Sequence, residues 1–339
     1  MSAEPVLVTG AAGFIGFSFA RRLLEAGRPV VGVDSINAYY DPALKEGRLK
    51  VLREFEDFTF RRLDLADREG TADLFRTGAF GPVVHLAAQV GVRYSLANPH
   101  AYLDANMAGF LNVLEGCRHR GTAHLLFASS SSVYGANTKL PFSVHDNVDH
   151  PISLYAATKK ANELMAHAYS ALFKLPATGL RFFTVYGPWG RPDMAVFTFA
   201  KAIVEGEPIR LFNHGQMRRD FTYIDDVVAA MEHLVDRAPT GDPKWSGRSP
   251  DPSSSAAPWR VYNIGNNQSV EISRVVDLLE RELGRPAIRE LAPMQPGDVL
   301  ETQANVDDLM REVGFKPATP IEEGLKRFAA WYRDYHALS

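Results

Sequence analysis

Pro5-Val6-Leu7-Val8-Thr9-Gly10-Ala11-Ala12-Gly13-Phe14-Ile15-Gly16 is the stretch whose reading decides the fold. A short apolar run ends in a glycine turn, and a helical pattern follows to Ala26 with Gly27 as its C-cap. In a strand, turn and helix of this kind, the backbone around Gly10, Gly13, Phe14, Ile15 and Gly16 and the helix N-terminus can approach a pyrophosphate. The next apolar run, Pro29 to Val33, ends at Asp34. A carboxylate there accepts hydrogen bonds from an adenosine ribose and repels a 2′-phosphate, which favours NAD over NADP.

Working outward, Arg62-Leu63-Asp64-Leu65 ends a third strand, and Val83 to Gln89 reads as a fourth, with small residues at its end. Leu125 to Ala128 is a fifth, Thr178 to Phe183 a further one, and Val261 to Ile264 returns to the sheet. Strands alternating with helices predict an α/β fold: a doubly wound parallel, Rossmann-type sheet with right-handed crossovers. The expected division is 1–181 for this domain, with sheet contributions from about 220–235 and 261–265, and 182–339 mainly for a smaller substrate-binding lobe. Ala238 to Pro258, rich in Pro, Gly, Ser and Asp, reads as a mobile surface loop.

At 339 residues and 46% hydrophobic content, the chain can bury a full core. A net charge of -3 without a long basic block gives no sign of nucleic acid or a membrane surface as partner. Cys117 is the single cysteine, which excludes an intrachain disulfide and fits a reducing compartment. With no signal-like start and no apolar run of about 18 residues, the expected location is cytoplasmic. No His/Cys cluster has metal-ligand spacing.

The chemistry concentrates in Phe127 to Lys159. Four serines, Ser129 to Ser132, follow the fifth strand at the edge where open α/β sheets place ligands. Tyr155 and Lys159 open a helical segment from Ser153 to Leu172, and their spacing of four puts both on one face. An ammonium beside a phenol lowers its pKa and makes it usable as a general base.

The glycine turn, the serine-ended strand and Tyr155-x-x-x-Lys159 together resemble the extended, nucleotide-sugar-modifying branch of the short-chain dehydrogenase/reductase superfamily. The Gly-x-x-Gly-x-x-Gly spacing is the one familiar there. Asp34-Ser35-Ile36-Asn37-Ala38-Tyr39-Tyr40-Asp41, Gly91-Val92-Arg93-Tyr94-Ser95 and Trp189-Gly190-Arg191 are most similar to UDP-glucuronate 4-epimerases. The resemblance implies C4 epimerisation of a UDP-sugar through a 4-keto intermediate, with Tyr155 as base, Lys159 on the nicotinamide ribose and Ser130, or alternatively Ser132, on O4. It implies cofactor contacts from Asn37, Asp64, Leu65, Leu86, Ala87, Ala88 and Gln89, with Asn106 in support. Phe212 would meet uracil, Arg219 a phosphate, and Asp298, after Gly297, the uridine ribose. Galactose-type relatives carry an arginine near Pro293-Met294-Gln295-Pro296, which this chain lacks. Dehydratases and decarboxylases carry an acid at the position of Ser132. Ser130, Ser131, Ser132 and Thr184 can hydrogen-bond a sugar carboxylate, with Arg191 or else Arg93 supplying charge. UDP-glucose/UDP-galactose epimerisation and a non-catalytic NAD-binding sensor are the alternatives. A homodimer through the helices after Asn98 and around Tyr155 is the expected assembly.

Overall fold

The computed structural model describes residues 4–294 and 298–338. Seven strands form the main sheet: β1 (Val6–Thr9), β2 (Val30–Asp34), β3 (Phe58–Arg62), β4 (Val83–His85), β5 (Leu125–Ser130), β6 (Ala177–Phe182) and, far along the chain, β10 (Trp259–Ile264). Three short strands lie between the last two, β7 (Thr184–Tyr186), β8 (Pro208–Phe212) and β9 (Arg218–Tyr223); β11 (Ser269–Glu271) and β12 (Ile288–Ala292) follow. The sheet order is β10-β6-β5-β4-β1-β2-β3, and every neighbouring pair is parallel. The order reverses between β1 and β4, so a crevice opens at their carboxyl ends. All four residues of β1 are buried, as a strand covered on both faces requires.

The helix Phe14–Glu25 follows the glycine turn, and Gly27 takes a left-handed φ of 73°. Helix Pro42–Leu52 starts at Asp41, whose carboxylate accepts from the Ala43 N–H at 2.9 Å. Helix Leu154–Phe173 starts at Ser153, whose hydroxyl accepts from the Ala156 N–H at 3.1 Å. These caps fix where each helix begins, and hence which way its first turn faces.

Two expectations differ from what is observed. Arg218–Tyr223 does not enter the main sheet; it pairs with β7 and β11 in a three-stranded sheet, and what 224–235 adds to the main body is the helix Ile224–Val235, against Phe14–Glu25. The loop 238–258 is anchored at its far end: Ser253, Ser254 and Ser255 are buried, and the Val261 N–H donates to the Ser253 carbonyl at 3.0 Å. Its hydroxyls satisfy buried groups, so a polar composition here is compatible with packing. β8 and β12 make a separate parallel pair. No helix among the described residues is long and apolar enough to cross a membrane.

Candidate active site

A cleft of about 400 Å³ follows the carboxyl ends of the main strands. Gly10, with φ of 71°, comes so close to the fourth strand's exit that a Cβ on it would lie 2.8 Å from the Ala87 nitrogen. A Cβ on Gly16 would meet the Gly10 carbonyl oxygen at 2.1 Å. Gly13, Phe14, Ile15, Leu86, Ala88 and Gln89 line the same cleft. So do Asn37, Asp64 and Leu65 at the adenosine end. Asp34 is buried there and accepts from the Ile36 N–H at 2.8 Å and the Ala12 N–H at 3.2 Å. These bonds aim the carboxylate and hold the turn that surrounds it.

Asn106 lies behind the wall. Its side chain exchanges hydrogen bonds with the Gln89 backbone, accepting at 2.8 Å and donating at 3.0 Å, and donates to Thr158 Oγ1 at 3.1 Å. It therefore ties the β4 exit to the helix that carries Tyr155. Asn106 sits in a π-helical turn, Leu103–Ala108, and the α-helix that follows begins at Gly109. A widened turn lets the Asn106 side chain reach out of the helix.

At the other end of the cleft, Ser130 closes β5, and Ser131 and Ser132 turn over its end. Ser130 Oγ accepts from the Ser132 N–H at 3.2 Å. Tyr155 and Lys159 both line the cleft, one helical turn apart. Lys159 Nζ donates to the Ala128 carbonyl at 3.0 Å, and burial brings its pKa down to about 8. Burial raises the pKa of the Tyr155 phenol, against a hydrogen bond from Ser130 and the charge of Arg191, which act to lower it. Arg191 is thus a second cation at this end of the cleft, besides Lys159.

Thr184 and Arg191 complete this end. Arg191 is held by Asp193, Nε to Oδ1 at 3.0 Å and Nη2 to Oδ2 at 2.5 Å, and Tyr39 donates to the same carboxylate at 3.0 Å. Phe212, Arg219, Asp298 and Arg93 do not line the cleft, but they meet one another beside it. The Arg93 guanidinium lies 4.7 Å over the Phe212 ring and pairs with Asp298 at 3.2 Å. Burial lowers the Arg219 pKa, with Asp298 acting in its favour and Arg93 against it. Gly297, Gln295 and Pro296 lie outside the described residues.

Sequence reasoning missed several residues. Lys45 and Arg48, buried on helix Pro42–Leu52, sit three apart just after its cap, which is the signal that could have found them. Lys45 Nζ donates to the Asn37 carbonyl at 2.9 Å and to its Oδ1 at 2.8 Å. Glu163, four residues past Lys159 on the same helical face, is also buried. It pairs bidentately with Arg181 of β6, at 2.8 and 2.9 Å, and accepts from Ser129 Oγ at 2.6 Å. Asp193 had no sequence signal beyond following Arg191 by two.

A parallel sheet with a glycine turn at its switch point and a Ser, Tyr and Lys group beyond it defines a dinucleotide-dependent enzyme class acting on a carbon bearing a hydroxyl. The profile of the NAD dependent epimerase/dehydratase family matches residues 6–265, and the chain belongs to that family. It is 55% identical to Protein CapI of Staphylococcus aureus, over 98% of this chain and 99% of that one. It is 48% identical to a probable UDP-glucuronate 4-epimerase of Rhizobium meliloti (strain 1021), over 96% of each chain. Among solved structures, the UDP-glucuronic acid 4-epimerase of Bacillus cereus in complex with UDP-glucuronic acid and NAD matches with a TM-score of 0.86 and 30% identity, covering 98% of this chain and 99% of that one.

Proposed function

We propose that this protein epimerises UDP-glucuronate to UDP-galacturonate at C4 in an NAD-dependent reaction. The observation that carries the reading is the meeting of Tyr155, Ser130 and Arg191 at the far end of the cleft that begins at the glycine turn. Tyr155 takes the proton of the C4 hydroxyl as its phenolate, a form that burial disfavours and that Ser130 and the charge of Arg191 act to favour, and Ser130 hydrogen-bonds O4. NAD, when bound, would supply the hydride acceptor and donor for C4. The 4-keto sugar turns between the two transfers, and Tyr155 returns the proton on the other face. Phe212, Arg219 and Asp298 take the uridine diphosphate, so that 182–339 serves mainly as the sugar-nucleotide lobe.

A 4-keto glucuronate is a β-keto acid, which loses carbon dioxide when its C5–C6 bond aligns with the carbonyl π system. Ser131, Ser132, Thr184 and Arg191 hold the carboxylate out of that alignment. Arg191 is favoured over Arg93 because it lines the cleft together with Tyr155 and Ser130, whereas Arg93 stands at the Phe212 end. Incubation with UDP-glucuronate and with UDP-glucose, products resolved by NMR, tests the substrate. Arg191→His should slow epimerisation of UDP-glucuronate and release UDP-4-keto-pentose. Equal loss on both sugars with no such release would move Arg191 to the UDP half.

A second copy of the chain is the proposed partner. Leu103, Leu111, Leu164 and Leu172 are exposed on the two helices expected to pair, and light scattering showing a monomer would remove this assembly. The lone buried thiol of Cys117 supports the cytoplasmic reading.

A further inference from the structure

Arg48 and Arg181 are the two largest fully buried side chains among the described residues, and nothing in the proposed reaction uses Arg48. Its guanidinium lies where the cofactor turn and the sugar turn meet. Nη1 donates to the Ala12 carbonyl at 2.8 Å, inside the glycine turn, and to the Tyr40 hydroxyl at 2.7 Å. Nη2 donates to the Trp189 carbonyl at 2.5 Å and to the Gly190 carbonyl at 3.3 Å. No carboxylate forms an ion pair with it among the described residues, and its Nε finds no partner among them. Desolvating a lone cation costs several kcal/mol. A planar fork can bridge two backbone turns at once, whereas an ammonium or a thioether cannot.

The turn it holds needs holding. Trp189 has a φ of 63°, a left-handed conformation that is strained for a bulky residue. Its indole is wedged against Phe17, Trp331 and Tyr335, with ring centroids 5.2 to 5.5 Å apart. Arg191 is the next residue after the Gly190 carbonyl that Arg48 binds, so that hydrogen bond orients the peptide from which the Arg191 side chain projects. Ala12, on the other side, donates its N–H to Asp34 and gives its carbonyl to Arg48. Ala12 and Arg48 together therefore join the Asp34 carboxylate, the glycine turn and the sugar turn.

We propose that Arg48 is a positioning residue of the reaction, tying the sugar turn to the glycine turn so that Arg191 meets the substrate carboxylate at a fixed place relative to the cofactor cleft. The inference rests on the carboxylate role proposed for Arg191. Without Arg48, the carboxylate is free to swing into alignment with the C4 carbonyl. The C5–C6 bond then breaks, its electron pair forms the C4–C5 enolate, carbon dioxide leaves and C5 takes a proton from water; the hydride stays behind as reduced cofactor.

The test uses the NAD-loaded protein as wild type, Arg48→Met, Arg48→Lys and Arg191→His. Calorimetry gives the preference for UDP-glucuronate over UDP, NMR the ratio of UDP-galacturonate to UDP-4-keto-pentose, and release assays the NAD content. Arg48→Met should keep its NAD, lose epimerisation by about 10²-fold as a misplaced group does, shrink the preference for UDP-glucuronate over UDP, and release the keto-pentose. Arg48→Lys should fall between it and wild type. Arg191→His leaking while both Arg48 variants hold wild-type preference and product ratio overturns the inference alone. Arg191→His changing neither readout overturns the carboxylate reading and the inference with it. Loss of fold or of NAD in both Arg48 variants also overturns it, since Arg48 would then serve folding or the cofactor and not the sugar turn.

Discussion

Around the cofactor turn, Gly10, Gly13, Asp34, Asp64, Leu65, Leu86, Ala87, Ala88 and Gln89 each lie within a few positions of the end of a main-sheet strand, whereas Arg93, Phe212, Arg219 and Asp298 come from four distant stretches outside that sheet and meet only through the fold. In the first region the parallel sheet does most of the positioning: strand register puts Gly10 against Ala87, and side-chain bonds such as those of Asp34 and Asn106 hold the turns in place. In the second, small sheets and loops bring the groups together, and the Arg93 guanidinium covers one face of the Phe212 ring. The same contact type also has different worth in different places. Glu163 and Arg181 are paired in complete burial, while His145 is paired with Asp251 and Asp308 at a side chain 46% exposed.

The largest effect should come from the chemical end of the first region. Tyr155→Phe removes only the proton-carrying hydroxyl, so turnover should fall by about 10²- to 10⁴-fold with NAD content unchanged; wild-type rates would place the base elsewhere. Next, Glu163→Gln leaves the Arg181 charge buried without its counter-ion, a loss of about 3 kcal/mol readable in denaturant unfolding. Burial acts to raise the Glu163 pKa, but Arg181 and Ser129 hold it below the ordinary carboxylate range. Its contribution is therefore present above the unfolded pKa and lost as pH falls through the folded one. A variant as stable as wild type would erase the contrast between buried and exposed pairs.

In the second region, Arg93→Ala uncovers the Phe212 ring. Uridine, which has no phosphate to be held by an arginine, should bind about 3-fold more tightly, consistent with a cation–π contact of about 0.5–1 kcal/mol. Weaker uridine binding by calorimetry would move the uracil site away from Phe212. The smallest effect belongs to His145. Burial pulls its pKa down, but Asp251 and Asp308 raise it above the ordinary value overall. The stability it supplies is present below the unfolded pKa and lost as pH rises through the folded one. Discounted for exposure, it amounts to at most about 1 kcal/mol. A pH dependence of Tm identical in wild type and His145→Ala would show that the clamp contributes nothing.

The sequence by itself determined the glycine turn, the acid at the end of β2, the serine-ended strand and the Tyr155 helix, because each is local: a strand end, a cap or a four-residue spacing places it without help from elsewhere. Even the return of Val261 to Ile264 to the sheet was legible as an apolar run. Tertiary structure alone decided what joins Lys159 beside the phenol. Lys159 lies on the expected helical face and donates to the Ala128 carbonyl, while Arg191 reaches the same cleft from a turn held by Asp193 and Arg48. It alone also placed Arg218–Tyr223 outside the main sheet and packed the serines of 253–255. The physical reason is the same in each case. A buried polar group takes the nearest partner that satisfies it, and which partner is nearest depends on segments far away in the chain.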